Sequence, residues 1–258
     1  MIIGFNKYQG TGNDFIIVDN RKNIFVPDDH NLISKLCNRR YGIGADGLIL
    51  INKDPELDYK MVYFNSDGHE SSMCGNGGRC AADFAIRARI ADQNHKFRAV
   101  DGIHEAIAEK GIIKLKMNDV NESRLIENNI FINTGSPHYV IFRDNIESLK
   151  VYDEGKKIRW SDTFSPEGTN VNFVEPEKDG IFVRTYERGV EDETLSCGTG
   201  VTASAIASFM TGHFDSGHVN VRTRGGNLRV EFEINGKLIS DIWLSGPATF
   251  VFDGKIEI

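Results

Sequence analysis

Two stretches half a chain apart share one pattern. Cys74-Gly75-Asn76-Gly77-Gly78-Arg79-Cys80-Ala81 and Cys197-Gly198-Thr199-Gly200-Val201-Thr202-Ala203-Ser204 both read C-G-x-G followed by small residues suited to a helix. Their offset, 197 minus 74, is 123 of 258 residues. A solenoid repeats with periods up to roughly 50 residues, so a repeat this long predicts two similar domains. The expected division is 1–118, carrying Cys74, and 119–258, carrying Cys197, with a site in the cleft between them.

Element order repeats as well. Short runs of β-branched and aromatic residues predict strands at Ile2 to Tyr8, Phe15 to Val18, Leu48 to Ile51, Tyr59 to Phe64, Phe97 to Val100 and Ile112 to Met117. N-cap residues in Asp28-Asp29-His30-Asn31 open a short helix ending near Arg40 and Gly42, and a second helix starts near Cys74 to Gly78 and runs to about Ala91. Past residue 118 come strands at Ile130 to Asn133 and Tyr139 to Phe142, then a polar helix near Asn145 to Gly155. Strands at Val171 to Val174 and Ile181 to Tyr186 precede the helix after Cys197, and four more strands close the chain, the last from Thr249 to Phe252.

The helix after Cys197 is small or apolar on every face from Val201 to Met210, so it is a buried helix. The first copy carries Asp83, Arg87 and Arg89 and keeps one wetter side. The expected fold is α+β: two pseudo-symmetric domains, each a curved, mostly antiparallel sheet wrapped around a central helix.

Composition narrows the function. Hydrophobic residues make up 40% and charged residues 26%, and no apolar run approaches the roughly 18 residues of a membrane helix. The N-terminus shows no basic stretch followed by an apolar core, so a cytoplasmic address is expected. Net charge is 30 minus 37, or −7, with basic residues scattered, which argues against nucleic acid as a partner, and the lack of a long apolar run argues against a membrane. The four cysteines, Cys37, Cys74, Cys80 and Cys197, form no CxxC and no zinc-finger spacing. No metal is expected.

The chemistry sits in the repeat. A cysteine at a helix N-terminus meets unsatisfied N–H groups, which lower the thiol pKa and offer donors to a carboxylate or oxyanion. Two such cysteines facing one cleft would flank a ligand carbon from opposite sides. That suits stereoinversion, with one thiolate removing a proton and the opposite thiol delivering another. No cofactor is required: no lysine pattern suggests an aldimine, and the glycine turns make no dinucleotide fingerprint.

At this point the sequence resembles the diaminopimelate epimerases along essentially its whole length. The residues that carry the resemblance are Gly10 to Phe15, Gly42 to Gly47, Phe64 to Gly68, Met73 to Cys80, Tyr186 to Gly189, Cys197 to Gly200 and Gly246 to Ala248. The resemblance implies cofactor-independent interconversion of LL- and meso-2,6-diaminopimelate, in lysine and cell-wall precursor synthesis, by two mirrored domains, usually in a homodimer. It implies Cys74 and Cys197 as catalytic bases, Cys74 the donor and Cys197 the acceptor in the LL-to-meso direction. Asn13, Asn65 and Asn170 become substrate-binding amides, Glu187 and Arg188 contacts with the substrate's ends, and Gly75-Asn76 and Gly198-Thr199 carboxylate cradles.

Three departures stand out. Gly47 replaces a Gln found in some members, Ser136 stands where Asn usually precedes Pro, and the segment from Glu187 to Cys197 is one residue longer around Val190-Glu191-Asp192.

Other readings of the same residues remain open. His138 reads either as a site-tuning group or as a satisfied structural histidine. Asp46 and Asp67, in Gly-flanked turns, are explained by Asx chemistry and are left out of the site. Cys80 and Cys37 read as core. A proline or hydroxyproline racemase is a rival of the same fold type, although its motif carries His where this chain has Asn76. A thiol redox protein and an amino-acid-sensing module are rivals from other classes.

Overall fold

The computed structural model describes every residue from 1 to 258 except Pro27, Asp28 and Lys237. In chain order the elements begin with β1 (Ile2–Gly10), β2 (Asn13–Asp19), α1 (His30–Cys37), β3 (Gly47–Asn52), β4 (Tyr59–Asn65), α2 (Gly75–Arg87), β5 (Asn94–Ala99), β6 (Gly102–Glu109) and β7 (Ile112–Lys116). They continue with β8 (Ser123–Ile126), β9 (Asn129–Asn133), β10 (Pro137–Phe142), α3 (Val151–Arg159), β11 (Asn170–Glu177), β12 (Gly180–Glu187), β13 (Asp192–Thr194) and α4 (Gly198–Met210). The last strands are β14 (His218–Thr223), β15 (Gly226–Asn235), β16 (Leu238–Pro247) and β17 (Thr249–Glu257).

The chain divides into two compact units, Met1–Leu115 with Gly246–Ile258, and Lys116–Ser245. This corrects the expectation that everything from 119 to 258 forms the second domain. The reason is backbone pairing: β17 runs antiparallel to β1 from Ile2↔Glu257 to Gln9↔Thr249, which draws the last strand into the first unit.

Within the first unit, β1 pairs antiparallel with β2, β2 parallel with β3, β3 antiparallel with β4, β4 parallel with β5, and β5, β6 and β7 follow antiparallel. Within the second unit, β9, β10, β11, β12, β14, β15 and β16 repeat that sequence of pairings step for step. The crossovers match too. One helix, α1 or α3, joins the first parallel pair, and another, α2 or α4, joins the second.

Each unit therefore covers both faces of its sheet, which explains strands that are apolar without interruption. On β2, Ile16 and Val18 join Ile33 and Leu36 of α1 in one cluster. Phe15 and, on β3, Ile49 point the other way, against Gly77 of α2. In the second unit α3 packs through Val151 on Val171, Phe173, Phe182 and Tyr186.

The central helices are buried as expected. α2 lies against β1, β2, β3, β4, β6 and β17, and α4 against β9, β10, β11, β12, β14 and β15. Burial of α4 leaves its hydroxyls no water, and they bond backward instead: Thr202 to the Gly198 carbonyl at 3.0 Å, Ser204 to Gly200 at 2.7 Å and Ser208 to Ser204 at 2.8 Å.

Several boundaries moved for local reasons. Asp29 caps α1 by accepting from Leu32 N–H at 3.0 Å, while Asp28 lies outside the described residues. α1 stops at Cys37, before Arg40, because Asn38 turns extended and its side chain takes the N–H groups of Arg40 and Tyr41. α2 ends at Arg87 where Arg89 turns left-handed, φ 54°. The helix expected near Asn145 to Gly155 is a 3-10 turn over Ile146–Ser148 followed by α3. The buried Arg184 holds that turn by donating to the carbonyls of Ile146, Glu147 and Leu149. β6, β8 and β13 escaped sequence reading because GIHEAIAE is alanine- and glutamate-rich and the other two are short and polar.

Gly155 sits mid-helix in α3, where alanine is ordinarily better by about 1 kcal/mol. A Cβ there would lie 2.3 Å from Cβ of Tyr186, an atom that cannot move without its backbone. Gly155→Ala is expected to destabilise the protein by about 1–3 kcal/mol in urea unfolding; an unchanged or raised midpoint contradicts this packing.

Candidate active site

Cys74 is the N-cap residue of α2, in extended conformation (φ −96°, ψ 123°), and Cys197 is the N-cap of α4 (φ −117°, ψ 114°). The first turns are Gly-Asn-Gly and Gly-Thr-Gly, so the amides without intrahelical acceptors are barely shielded by side chains. The intrahelical ladder begins only with Gly78 N–H on the Cys74 carbonyl and Val201 N–H on the Cys197 carbonyl. Gly200 is required for a second reason. A Cβ there would stand 2.4 Å from Asn172 Oδ1 and 3.2 Å from the His138 ring.

In the first unit Cys74, half-buried, donates through Sγ to Asn13 Oδ1 at 3.6 Å. Asn76, fully buried, donates to the same oxygen at 3.3 Å. Asn13 Nδ2 donates to Asp46 Oδ2 at 2.7 Å. Asp46 also accepts from the Asp14 N–H and from Arg39 at 2.7 Å. Asp14 is burdened by partial burial, yet hydrogen bonds from Arg39 and Lys7 bring its carboxyl down to about 2.

Beneath α2 lies Arg79, without solvent exposure. It donates to Gly75 O (3.2 Å), Asn76 Oδ1 (3.0 Å), Thr11 Oγ1 (3.3 Å) and Pro247 O (3.4 Å), and no carboxylate among the described residues pairs with it. Burial lowers its pKa. Asn65 ends β4, and its side-chain amide bonds to no described residue. Asp67 closes its own turn on His69 N–H at 2.9 Å, as Asx chemistry anticipates.

In the second unit the contacts have another character. His138 is buried, and burial, reinforced by the charge of Arg188, brings its imidazole down to about 3 against the pull of the Asn172 hydrogen bond. It is neutral throughout the physiological range, so one ring nitrogen donates and the other accepts. Asn172 Oδ1 takes the Thr185 hydroxyl at 2.9 Å, which leaves its Nδ2 to donate to His138 Nδ1 at 3.0 Å. The ring proton is then on Nε2, 2.9 Å from Thr199 Oγ1, and the Thr199 hydroxyl lies 3.5 Å from Cys197 Sγ. Thr199 can accept from the imidazole and donate to the sulfur.

Asn170 begins β11, and its amide is committed inside the unit. Nδ2 donates to Ser136 Oγ and Pro137 O, both at 2.8 Å, and Oδ1 takes the N–H of Arg188 at 2.8 Å. Arg188 also donates to Glu167 O at 3.3 Å, and Glu187 accepts from the Thr194 hydroxyl at 3.0 Å. The described contacts therefore join Cys74, Asn13 and Asn76 in one group, and Cys197, Thr199 and His138 in another.

The departures have local explanations. A Cβ at Gly47 would meet the Tyr63 ring at 2.4 Å, so Tyr63 occupies the space of a longer residue. Ser136 serves as the acceptor for Asn170. In the longer segment Glu191 adopts φ 59° and accepts from Gly189 N–H, the Tyr186 hydroxyl and Arg159, tying down the turn that carries Arg188. Sequence reading missed Asp46 and Arg79: one looked like a turn residue, and the other was an arginine inside a helix of small residues. Cys80 and Cys37 are buried, and burial pushes the Cys37 thiol up to about 12 and the Cys80 thiol further. Among the described residues no group of His, Cys, Asp and Glu side chains could hold a metal ion, and no helix is long and apolar enough to cross a membrane.

The family model for diaminopimelate epimerase matches residues 5–122 and 130–251. A diaminopimelate epimerase of Flavobacterium psychrophilum is 52% identical over 252 residues, covering 97% of this chain and 98% of that protein. One from Aquifex aeolicus is 40% identical, covering 98% and 97%. Among solved structures, a Bacillus anthracis phenazine biosynthesis protein of the PhzF family superposes with a TM-score of 0.79 at 14% identity, each chain covered in full. A hydroxyproline epimerase from Agrobacterium vitis gives 0.75 at 11% identity, with 99% of this chain and 92% of that one covered. At such identities these structures show the fold alone.

His138 generates a pH dependence. Its folded pKa, about 3, lies below the ordinary 6.5, so the unfolded chain binds the extra proton first. Its contribution is intact above pH 6.5 and is lost as pH falls toward 3. Asp14 adds its own loss only below 3.8, because its folded value is also depressed. The prediction is that urea stability falls between pH 6.5 and 4 and that His138→Gln flattens this fall. Parallel curves for the two proteins contradict the buried, neutral imidazole.

Proposed function

The chain belongs to the diaminopimelate epimerase family, and on that premise we propose that it interconverts LL- and meso-2,6-diaminopimelate without a cofactor, using Cys74 and Cys197 as its two bases. The observation that carries the reading is the matched pair of N-cap cysteines, one in each of two units built on the same order of strand pairings. Inversion at carbon needs this pairing of functions. One group must take the α-proton and another must return a proton to the opposite face.

In the LL-to-meso direction Cys197 accepts the α-proton and Cys74 supplies its replacement. The open amides at each helix start favour negative charge, so they suit the substrate carboxylate as charge develops on it. Gly75-Asn76 and Gly198-Thr199 form the cradles. Asn65, with its amide uncommitted, contacts the substrate directly, as does Asn13 from the edge of the Cys74 group. Arg188 offers a planar fork to a carboxylate, with Glu187 beside it for an amino group, and Asn170 supports this clamp through the Arg188 N–H. The product serves lysine and cell-wall precursor synthesis in the cytoplasm, and the working form is a homodimer with no nucleic-acid or membrane partner.

The test is incubation of reduced protein with LL-diaminopimelate in deuterium oxide, without pyridoxal phosphate. Inversion with deuterium at Cα is expected; retention of both stereochemistry and protium sinks the assignment. Cys74→Ala and Cys197→Ala should each abolish epimerisation while circular dichroism stays unchanged, and full activity in either defeats the two-base account. Arg188→Lys loses the bidentate fork and should raise KM by roughly tenfold with a smaller effect on kcat.

A further inference from the structure

The Asn13 amide in the first unit belongs to a longer chain of hydrogen bonds with a charge of fixed polarity at each end. A carboxylate can only accept, so Asp46 requires the nitrogen of Asn13, which stands 2.7 Å away. A guanidinium can only donate, so Arg79 requires the oxygen of Asn76, at 3.0 Å. Between them Asn76 Nδ2 donates to Asn13 Oδ1 at 3.3 Å. Neither amide can turn over without setting oxygen against the carboxylate or nitrogen against the guanidinium. Cys74 Sγ meets this chain at Asn13 Oδ1, an atom that only accepts.

We propose that Asp46 is a positioning residue for Cys74: by fixing the Asn13 amide with its oxygen toward the sulfur, it keeps Cys74 protonated in the resting enzyme. The inference rests on the reading of Cys74 as the proton donor. A thiol satisfies the Asn13 oxygen, whereas a thiolate faces its lone pairs, so the anion formed after proton delivery is driven to reprotonate. At Cys197 the adjoining group is the Thr199 hydroxyl, which can donate, and the two sulfurs are thus held in opposite senses. In the sequence, Asp46 shows only the signature of a Gly-flanked turn residue.

Other charged and titratable groups surround α2. Arg79 and Cys80 lie on the helix, and Asp83 on it is engaged by Tyr8 of β1 at 3.0 Å. From β1 and β2, Lys7 and Asp14 form an ion pair with each other at 2.7 Å, and Arg39 joins Asp14 to Asp46. Tyr59 and Tyr63 stand on β4, and His104 of β6 is held by Asp101 at 2.9 Å. Of these, Arg79 acts on Cys74 in the opposite sense to Asp46, since a cation favours the thiolate. Removing Asp46 therefore leaves the opposing influence in place.

Asp46 is exposed, so its variants should fold, which circular dichroism and a thermal melt verify. The experiment is iodoacetamide modification of wild type, Asp46→Asn and Asp46→Glu across pH 6 to 10, with Cys74 and Cys197 resolved by peptide mass. In Asp46→Asn the Asn13 amide loses the carboxylate that demands its nitrogen, and the long Asn76 donor at 3.3 Å is left as the one contact of this hydrogen-bond chain that favours the oxygen toward the sulfur. The midpoint for Cys74 is expected to fall by about half a unit or more, roughly a threefold gain in modification below the midpoint, while Cys197 is unmoved and Asp46→Glu restores the wild-type profile. A Cys74 midpoint that stays or rises in Asp46→Asn, or a Cys197 midpoint that moves with it, overturns the proposal. Wild-type protein assayed on LL-diaminopimelate separates the two readings: an inactive wild type overturns the assigned reaction, and an unmoved Cys74 in an active enzyme overturns the role of Asp46.

Discussion

A helix whose N-terminus is buried, with only glycine-flanked amides around a single side chain, is the constraint on which the rest depends. An exposed helix start can satisfy its orphan N–H groups with water; a sequestered one needs an anion, a ligand or a cap. Here the cap residue is cysteine, and neither Cys74 nor Cys197 closes the first turn with its side chain. The many small residues of α2 and α4 follow from this demand, since alanine, glycine and serine let strands approach a helix closely on several sides. The uninterrupted apolar strands follow in turn, because one face of each sheet must meet that helix while the other meets α1 or α3.

The two units share a plan but not a charge. Five residues after each cysteine, Arg79 and Thr202 occupy the same place and make the same contact, to the carbonyls of Gly75 and Gly198 at 3.2 and 3.0 Å. One is a cation with no carboxylate on it among the described residues, the other a neutral hydroxyl. The first unit polarises its cysteine through amides strung between charges, and the second through a neutral imidazole and a hydroxyl. A reaction that asks one sulfur to give a proton and the other to take it has use for that difference, which the repeated backbone alone would not create.

Much of this was legible in the residues. The C-G-x-G pair, the all-round small helix after Cys197 and the β-branched runs follow local rules that tertiary context reinforced, and so the strand order and the central helices were foreseeable. Boundaries failed where a side chain captured backbone groups: Asn38 at the end of α1, and Arg184 over the turn before α3. The return of β17 to β1 was invisible because pairing partners at opposite ends of the sequence, from Ile2↔Glu257 to Gln9↔Thr249, leave no local trace. Asp46 escaped for a related reason. Its role lies in which atom of Asn13 it selects, and that appears only once both residues are placed. The commitment of Asn170 to Ser136 and Arg188 was hidden in the same way.

The pairing of β17 with β1 also fixes an order of events during synthesis. The second unit, Lys116–Ser245, is one continuous stretch of chain, so it can close once β16 has left the ribosome. The first unit cannot. β1 is made before the second unit, yet Phe5 and Tyr8 wait for Phe252 and Phe250, the rings they pack against, until after the second unit has been made. During that interval one edge of β1 is an unpaired template open to a wrong partner.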